Sequence, residues 1–383
     1  MPGDPDSPTD PIEAVLADFD AEAPLERAST IPGTWYTDPR IASLERAAVW
    51  SRTWQLVGRT AQVARPGEFV TAEVAGEPIV VVRGHDGVLR GFFNVCRHHA
   101  AAVMTQPCGK VDRLRCPYHG WTYDLAGQLR GVPELDGVLD FDRGANSLVP
   151  VHVATWESFV FVYLDPAPDR EPPPLAAYLG AIVDQVATLQ LGALAFYERR
   201  EYTLACNWKV YVDNYLDGGY HVPHLHPSLD SVLDYTEYTI ENFERVCLQA
   251  SPIDDRNADP STAAVRKGRA LYYWIYPNLM LNWYEGHLDT NLVIPLGVDR
   301  CKVVFEFFFA DLGAAEANAH SVAVAERIQD EDVAICESVQ RGLGSRAYRA
   351  GRLSVRREAG ENLFHRLLAR DLRGRLNPLN RRG

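Results

Sequence analysis

Asn94-Val95-Cys96-Arg97-His98-His99 and, after seventeen intervening residues from His98, Cys116-Pro117-Tyr118-His119-Gly120-Trp121 decide how this chain is read. The spacing is Cys-x-His followed by Cys-x-x-His. Two such hooks on separate turns can place two thiolates and two imidazoles round one small inorganic centre, a donor set that suits zinc or a two-iron, two-sulfur cluster. Zinc fingers usually space their hooks differently, with both histidines on one helix. One Cys and one His per hook is the arrangement expected when one iron takes both thiolates and the other both imidazoles. Zinc on the same four side chains is the alternative. His99 reads as a polar neighbour of a ligand.

With Pro117, Gly120 and Trp121 flanking the hooks, the stretch resembles a Rieske domain, which implies Cys96, His98, Cys116 and His119 as ligands of a 2Fe-2S cluster. Respiratory-chain Rieske domains add a disulfide across the cluster loops. Cys108 lies between the hooks with no nearby partner, so the resemblance is to the oxygenase type.

Outward from the hooks, short apolar runs at Phe69 to Val74, Pro78 to Val82, Leu89 to Asn94 and Phe159 to Leu164 alternate with turn signals at Gly84 to Gly87 and Asp124 to Gly127. This pattern predicts a small antiparallel β-domain with both hooks on loops at one end. Upstream, residues 1–33 carry several Pro, Asp and Ser, so the extreme end is expected to be a mobile tail, with a short helix from Pro11 to Phe19, and Asp38-Pro39 opens a helix through Ile41, Leu44, Ala48 and Trp54. Downstream, the proline-rich run Asp165 to Pro174 reads as a stiff linker, followed by a helix over Leu175 to Leu191 and a strand over Phe196 to Leu204. The expected division is a tail and short helix over 1–40, a cluster domain over 41–165 and a second domain over 166–383. The fold class is α+β: a small antiparallel β-domain beside a domain whose antiparallel sheet is covered by helices.

The 383 residues suffice for two cores of ordinary size. A formal net charge of −13 argues against nucleic acid or an anionic membrane as partner. No apolar run approaches the ~20 residues needed to cross a bilayer, and no signal peptide is visible, so a cytoplasmic location is expected. The seven cysteines do not make a disulfide framework.

Asn207 to His226 forms a second constellation, in which His221, His224 and His226 fall within six residues behind an apolar helix carrying Asp213 and Asp217. Such clustering is hard to explain by packing and points to a mononuclear metal. Non-haem iron needs two His and one carboxylate on one face, with positions left open for dioxygen and substrate. The carboxylate is sought on a long helix from about Ala314 to Leu343, whose apolar stripe reads Val322, Ala325, Ile328, Asp332, Ile335, Val339, Leu343. An ionised Asp332 facing a core calls for a cation or a buried salt bridge, to Arg341 for example. Asp330, Glu331 and Glu337 read as structural or solvated.

Together the two constellations resemble the Rieske non-haem iron oxygenases, whose catalytic domain carries the Asn-Trp-Lys start and the His-x4-His pair seen here. The resemblance implies His221, His226 and Asp332 as ligands of mononuclear Fe(II), dioxygen as co-substrate and Asn214 as a further candidate catalytic residue. Relatives carry an acid three residues before the first His, bridging to a neighbour's Rieske histidine. Here Gly218 holds that place, so Asp217 is the candidate electron bridge and Asp213 the fallback. The chain lacks a flavin, nicotinamide or plant-type ferredoxin fingerprint, so electrons are expected from a separate NAD(P)H-dependent reductase, with or without a ferredoxin. The resemblance also implies a homotrimer.

Tyr272, Trp274 and Tyr276 share one strand face ahead of Trp283 and Tyr284, a surface suited to a quaternary ammonium or to an aromatic substrate. The runs Asp213 to Val222, Ile275 to Asn282, Asp289 to Gly297 and Glu331 to Leu343 resemble choline monooxygenases, with departures at Trp283 and Glu285. That resemblance implies a monooxygenase acting on a small choline- or betaine-like compound, with Trp274, Tyr276 and Tyr284 as substrate contacts. The alternative is an aromatic-ring hydroxylating dioxygenase or demethylase.

Overall fold

A computed structural model describes residues 11–165, 171–254, 256 and 259–376. The chain divides into two compact units, Trp50–Tyr178 and Met1–Val49 with Leu179–Gly383. These boundaries differ from the expected divisions at 40/41 and 165/166. Residues from Ile12 onward pack with the second unit rather than trailing as a tail: Leu16 and Phe19 are buried, and Trp35 Nε1 donates to Val15 O. The expected N-terminal helix is present over Ile12–Ala17. Part of the proline-rich linker lies outside the described residues.

In the first unit, seven antiparallel strands lie in the order Gln55–Arg59, Phe159–Tyr163, Pro150–Trp156, Leu89–Phe93, Glu77–Arg83, Glu68–Val74 and Cys108–Lys110. Val80, Val82, Phe69 and Phe92 bury one face beneath a three-stranded sheet of Leu114–Arg115, Thr122–Tyr123 and Leu129–Gly131. Cys96 and Cys116 belong to this core, so the cluster hooks grow directly out of the packed sheets.

In the second unit, another seven-stranded antiparallel sheet runs Ala195–Leu204, Cys301–Phe309, His287–Pro295, Leu279–Tyr284, Arg269–Ile275, Val246–Pro252 and Thr239–Asn242. The strand Cys301–Phe309, second from the edge, is valine- and phenylalanine-rich and buried on both faces, as expected of a strand covered on both sides. The expected helix over 175–191 is instead two short helices, Leu175–Leu179 and Ile182–Ala187, separated at Gly180, whose φ of +61° no helix accommodates.

Three helices define the site's frame. Trp208–Leu216 is capped by Asn207, whose side chain accepts from Lys209 N. The long helix Ala315–Leu343 is rich in Ala and Glu, with Glu316 in its first turn and Arg341 in its last to match the helix dipole. Ala359–Leu376 packs Phe364 against Trp208 and Trp274. The predicted stripe of the long helix holds at Val322, Ala325 and Asp332, whereas Ile335 and Val339 are exposed. The buried position in that turn is Cys336, which with Cys206 and Cys301 forms a cluster of core thiols; the Cys206 and Cys301 sulfurs are 3.8 Å apart. Among the described residues no helix is long and apolar enough to cross a membrane.

The start of the Trp208–Leu216 helix is tied to the N-terminal segment by charge. Asp38 caps the short helix Pro39–Glu45 by accepting from Arg40 N, as its Asp-Pro start predicts. That helix delivers Glu45, whose carboxylate accepts from Lys209 Nζ at 2.6 Å and from Trp208 Nε1 at 2.9 Å. Both side chains of the ion pair are almost fully buried. Replacing Glu45 with Ala strands the Lys209 ammonium without a counter-charge. Denaturant unfolding is expected to show a loss of ~3–5 kcal/mol, the range for one orphaned member of a buried pair.

Candidate metal centres and cavity

The two cluster hooks close in the same way. Cys96 N donates to Ala101 O and Ala100 N to Cys96 O; Cys116 N donates to Trp121 O and Gly120 N to Cys116 O. Each loop turns its Cys into the core and its His toward the surface: Cys96 and Cys116 are buried, whereas His98 is partly exposed and His119 exposed. Gly120, with φ of +75°, supplies the reversal after His119. The His98 and His119 ring centroids lie 4.8 Å apart, and Trp121 stacks on His98 at 4.6 Å. His98 Nδ1 is buried without a hydrogen-bond partner among the described residues. An orphaned imidazole nitrogen beside two core thiols is the donor chemistry a mixed Cys/His cluster requires. His99 is also close, with its ring 4.1 Å from that of His98.

In the second unit, the Trp208–Leu216 helix ends at Asp217, and Gly218 and Gly219 then take φ of +68° and +70°. A Cβ on Gly218 would sit 2.0 Å from Arg357 O, so only glycine allows this turn. The turn brings His221 back over Asp217, and one helical turn, Val222–Leu225, separates His221 from His226. His224 points outward and is exposed.

Asp332 of the long helix meets this segment. Its Oδ1 lies 3.1 Å from His226 Nε2 and 4.0 Å from His221 Nε2, and accepts from Asn214 Nδ2 at 2.7 Å. His221, His226 and Asp332 thus converge as a group able to hold one ion. Both imidazoles are fixed from behind. His221 Nδ1 lies 2.6 Å from Asp217 Oδ2, and His226 Nδ1 lies 2.6 Å from Glu331 Oε2. A carboxylate on Nδ1 selects the tautomer that leaves Nε2 free for a metal. Burial pushes the His226 pKa down, but Asp332 and Glu331 outweigh it and hold the pKa above the ordinary value. Two imidazoles and one carboxylate on one face fit a mononuclear non-haem iron.

Asp217 and Asp213, both weighed as the bridge, separate here. Asp213 accepts from Tyr36 OH at 2.5 Å and pairs with His365 Nε2 at 3.0 Å, away from His221. Glu331, read from sequence as structural or solvated, was the missed contact. Its signal was adjacency: on a helix, the neighbour of an inward carboxylate points about 100° away, enough to reach the other nitrogen of the same imidazole.

A cavity of about 110 Å³ adjoins the cluster, lined in part by Tyr215, Tyr238, Tyr272, Tyr284, Arg266 and Asp289 along with His221, His226 and Asp332. Burial pushes the Tyr215, Tyr238 and Tyr272 hydroxyls well above their ordinary pKa, so these rings are neutral phenols. Of the three expected substrate contacts only Tyr284 lines this space. Trp274 and Tyr276 lie farther along the strand, where Trp274 packs edge-on to Tyr276 and Phe364 beneath the Ala359–Leu376 helix. Glu285, one of the two departures from the choline monooxygenases, sits exposed in a turn.

Residues 53–151 match the Rieske [2Fe-2S] domain, and residues 191–374 match the ring hydroxylating alpha subunit catalytic domain. The chain belongs to the Rieske non-haem iron oxygenases. It is 40% identical over 377 residues to a chloroplastic choline monooxygenase of Arabidopsis thaliana, covering 94% of this chain and 87% of that protein. It is 31% identical over 364 residues to a carnitine monooxygenase oxygenase subunit of Escherichia coli K12, covering 90% and 94%. Among solved structures, a quaternary ammonium Rieske monooxygenase in complex with L-carnitine superposes with a TM-score of 0.80 at 28% identity, covering 92% of this chain and 98% of that one. Naphthalene 1,2-dioxygenase from Rhodococcus shares the fold, with a TM-score of 0.74 at 20% identity over 90% and 94%. This oxygenase therefore works with a 2Fe-2S cluster, a mononuclear iron and dioxygen.

Glu331→Ala is expected to weaken iron binding by roughly 10–100-fold, the usual effect of losing such a partner, with Glu331→Gln in between. Competition titrations of Fe(II) against a chelator read this directly.

Proposed function

We propose that this oxygenase hydroxylates a carbon of a small quaternary or methylated ammonium compound. The observation that carries the reading is the cavity wall beside His221, His226 and Asp332: neutral tyrosine rings together with the buried carboxylate of Asp289. Aromatic faces attract a desolvated ammonium by about 0.5–2 kcal/mol each. Asp289 adds a carboxyl whose pKa burial raises against the pull of Arg266 and the hydrogen bond from Asn282 Nδ2 at 2.7 Å, so a cation seated beside it is what draws out its negative charge. A neutral aromatic hydrocarbon offers nothing to Asp289, Arg266, Asn282 or Asn291, and would desolvate them without compensation. The likeness to choline and carnitine monooxygenases supports the same substrate class.

In this reading Cys96, Cys116, His98 and His119 hold the 2Fe-2S cluster, and His221, His226 and Asp332 hold Fe(II). When bound, the cluster supplies single electrons and the mononuclear iron activates dioxygen beside the substrate. Asn214 keeps Asp332 Oδ1 oriented, while Asp217 and Glu331 hold the two imidazoles in register. The tyrosines exclude water and turn the methylated nitrogen toward the open face of the site.

Asp217 is the candidate bridge between copies. It holds His221 Nδ1 and stands at the end of its helix, and the His119 that would face it is exposed in its own unit. A homotrimer supplied by a separate NAD(P)H-dependent reductase, with or without a ferredoxin, completes the system, in the cytoplasm. Inter-subunit electron transfer is described for the quaternary ammonium Rieske monooxygenase of the same fold.

The experiment is a substrate panel with the purified protein, a surrogate reductase, and dioxygen uptake coupled to product detection. Oxidation of ammonium compounds is expected; turnover of aromatic acids alone would overturn the reading. Asp217→Asn is expected to weaken iron binding about as Glu331→Gln does and, once fully reloaded with iron, still to lose roughly 100-fold or more in coupled turnover, on the scale of effects seen when a catalytic orienting group is lost. Full turnover in that variant would assign the bridge elsewhere.

A further inference from the structure

Three buried thiols take no part in either iron centre. Cys206 directly precedes the Asn207 cap, Cys301 opens the strand Cys301–Phe309, and Cys336 stands one turn past Asp332 on the long helix; all three are fully buried. The Cys206 and Cys301 sulfurs lie 3.8 Å apart, and Cys206 is also hydrogen-bonded to Cys336. Packing alone asks only for small apolar side chains here, which alanine or valine would supply. Thiols in mutual contact on three elements also make a chemistry available, because two of them can be joined by oxidation. Cys206 is the central sulfur. Hydrogen bonds from Cys301 and Cys336 lower its pKa against burial, whereas its own hydrogen bond to each of them, together with burial, raises theirs. One sulfur with thiolate character therefore stands between two that keep their protons.

A small oxidant has an approach to these sulfurs. A second cavity of about 160 Å³ has Cys336 on its wall and Val339 and Tyr348, both exposed, at its edge. Asn214 lines this cavity and also the one beside His221, His226 and Asp332. Space for a few water molecules is space for hydrogen peroxide, the product when dioxygen takes up two electrons and two protons without a substrate being hydroxylated. Cys206 lies immediately behind Cys336, at hydrogen-bond distance.

We propose that Cys206 and Cys301 form a site of reversible oxidation by hydrogen peroxide, closing to a disulfide inside the catalytic unit. The Cys206 thiolate attacks one peroxide oxygen, the O–O bond breaks, and the leaving oxygen takes up a proton and departs as water, which leaves a sulfenic acid. Cys301 then displaces the remaining oxygen as a second water. Two thiols are oxidised, one peroxide is reduced, and both thiol protons leave in the two waters. Such a pair suits a reducing compartment, where disulfides are transient and redox-sensing. The link also pulls on the iron site. Ala205 N donates to Glu337 Oε1 at 3.0 Å and Asn207 N to Gln340 Oε1 at 2.8 Å, so the residues on either side of Cys206 are tied to the long helix. Drawing Cys206 toward the strand strains the helix that carries Asp332 and the cap of the helix that leads to His221.

The test is peptide mapping of the iron-loaded protein after graded hydrogen peroxide, with the remaining thiols alkylated on denaturation. The exposed Cys108 serves as the internal reference. A Cys206–Cys301 link, removed by dithiothreitol, is expected at the dose that oxidises Cys108. Linked protein is expected to hold Fe(II) roughly tenfold more weakly, the lower end of the effect of disturbing what supports a ligand, and to recover on reduction. Cys206→Ser given the same peroxide is expected to keep its Fe(II) affinity, which separates the link from other peroxide damage. Cys206 and Cys301 still free once Cys108 is oxidised would overturn the inference. A link from Cys206 to Cys336 instead would overturn the pairing, and a Cys206–Cys301 link with unchanged Fe(II) affinity would overturn the coupling to the iron. The mapping of the unaltered protein decides the matter even if Cys206→Ser does not fold.

Discussion

A carboxylate buried between two helices organises the second unit. Asp332 is 9% exposed on the long helix, and its Oδ1 gathers two imidazole nitrogens and an amide. Removing a carboxylate from water is tolerated only with close positive or donating partners, and a divalent cation is the strongest of these. Other features of the region serve this constraint. Gly218 and Gly219 let the chain fold back so that His221 reaches the site, and Asp217 and Glu331 hold the two rings from the far side. Glu45 and Lys209 fix the helix start from which the segment departs.

The sheet supplies the other half of the arrangement. Its register places Tyr272 opposite Asn282, and Asn282 opposite Asp289, so one row across three strands presents an aromatic ring, an amide and an acid to the same cavity. Tyr215 from the helix side donates to Asn282 Oδ1 at 2.8 Å and locks helix to sheet at the cavity edge. Polar groups fixed this way need little reorganisation when a charged substrate arrives, which is how a small site gains selectivity without a large buried area.

The proposed metal ligands were legible in the sequence because each depends on local spacing: Cys-x-His, Cys-x-x-His and His-x4-His are short-range patterns, and Asp332 stands out as an acid in an apolar stripe. Strands around the first hook were legible for the same reason, as Phe69 to Val74 and Pro78 to Val82 carry their own alternation. The substrate wall was not. Trp274 and Tyr276 have the right strand parity, but which part of a strand a helix covers is decided by Phe364, ninety residues away from Trp274 in sequence. Arg266 and Asp289 gave no local signal, since an isolated arginine and aspartate look solvated until the sheet buries them. The exposure of Ile335 and Val339 was likewise set by tertiary packing rather than by propensity, whereas the break at Gly180 is local, a glycine at positive φ.

The central claim is that one chain carries two separate iron centres, the second held between His221, His226 and Asp332. Anomalous diffraction from crystals of the iron-loaded protein, recorded on either side of the iron absorption edge, tests it most directly. The account predicts a two-iron peak among Cys96, His98, Cys116 and His119, and a single iron in contact with both His Nε2 atoms and the Asp332 carboxylate. A chain with no iron density between the helices, or with zinc in place of the cluster, would contradict it.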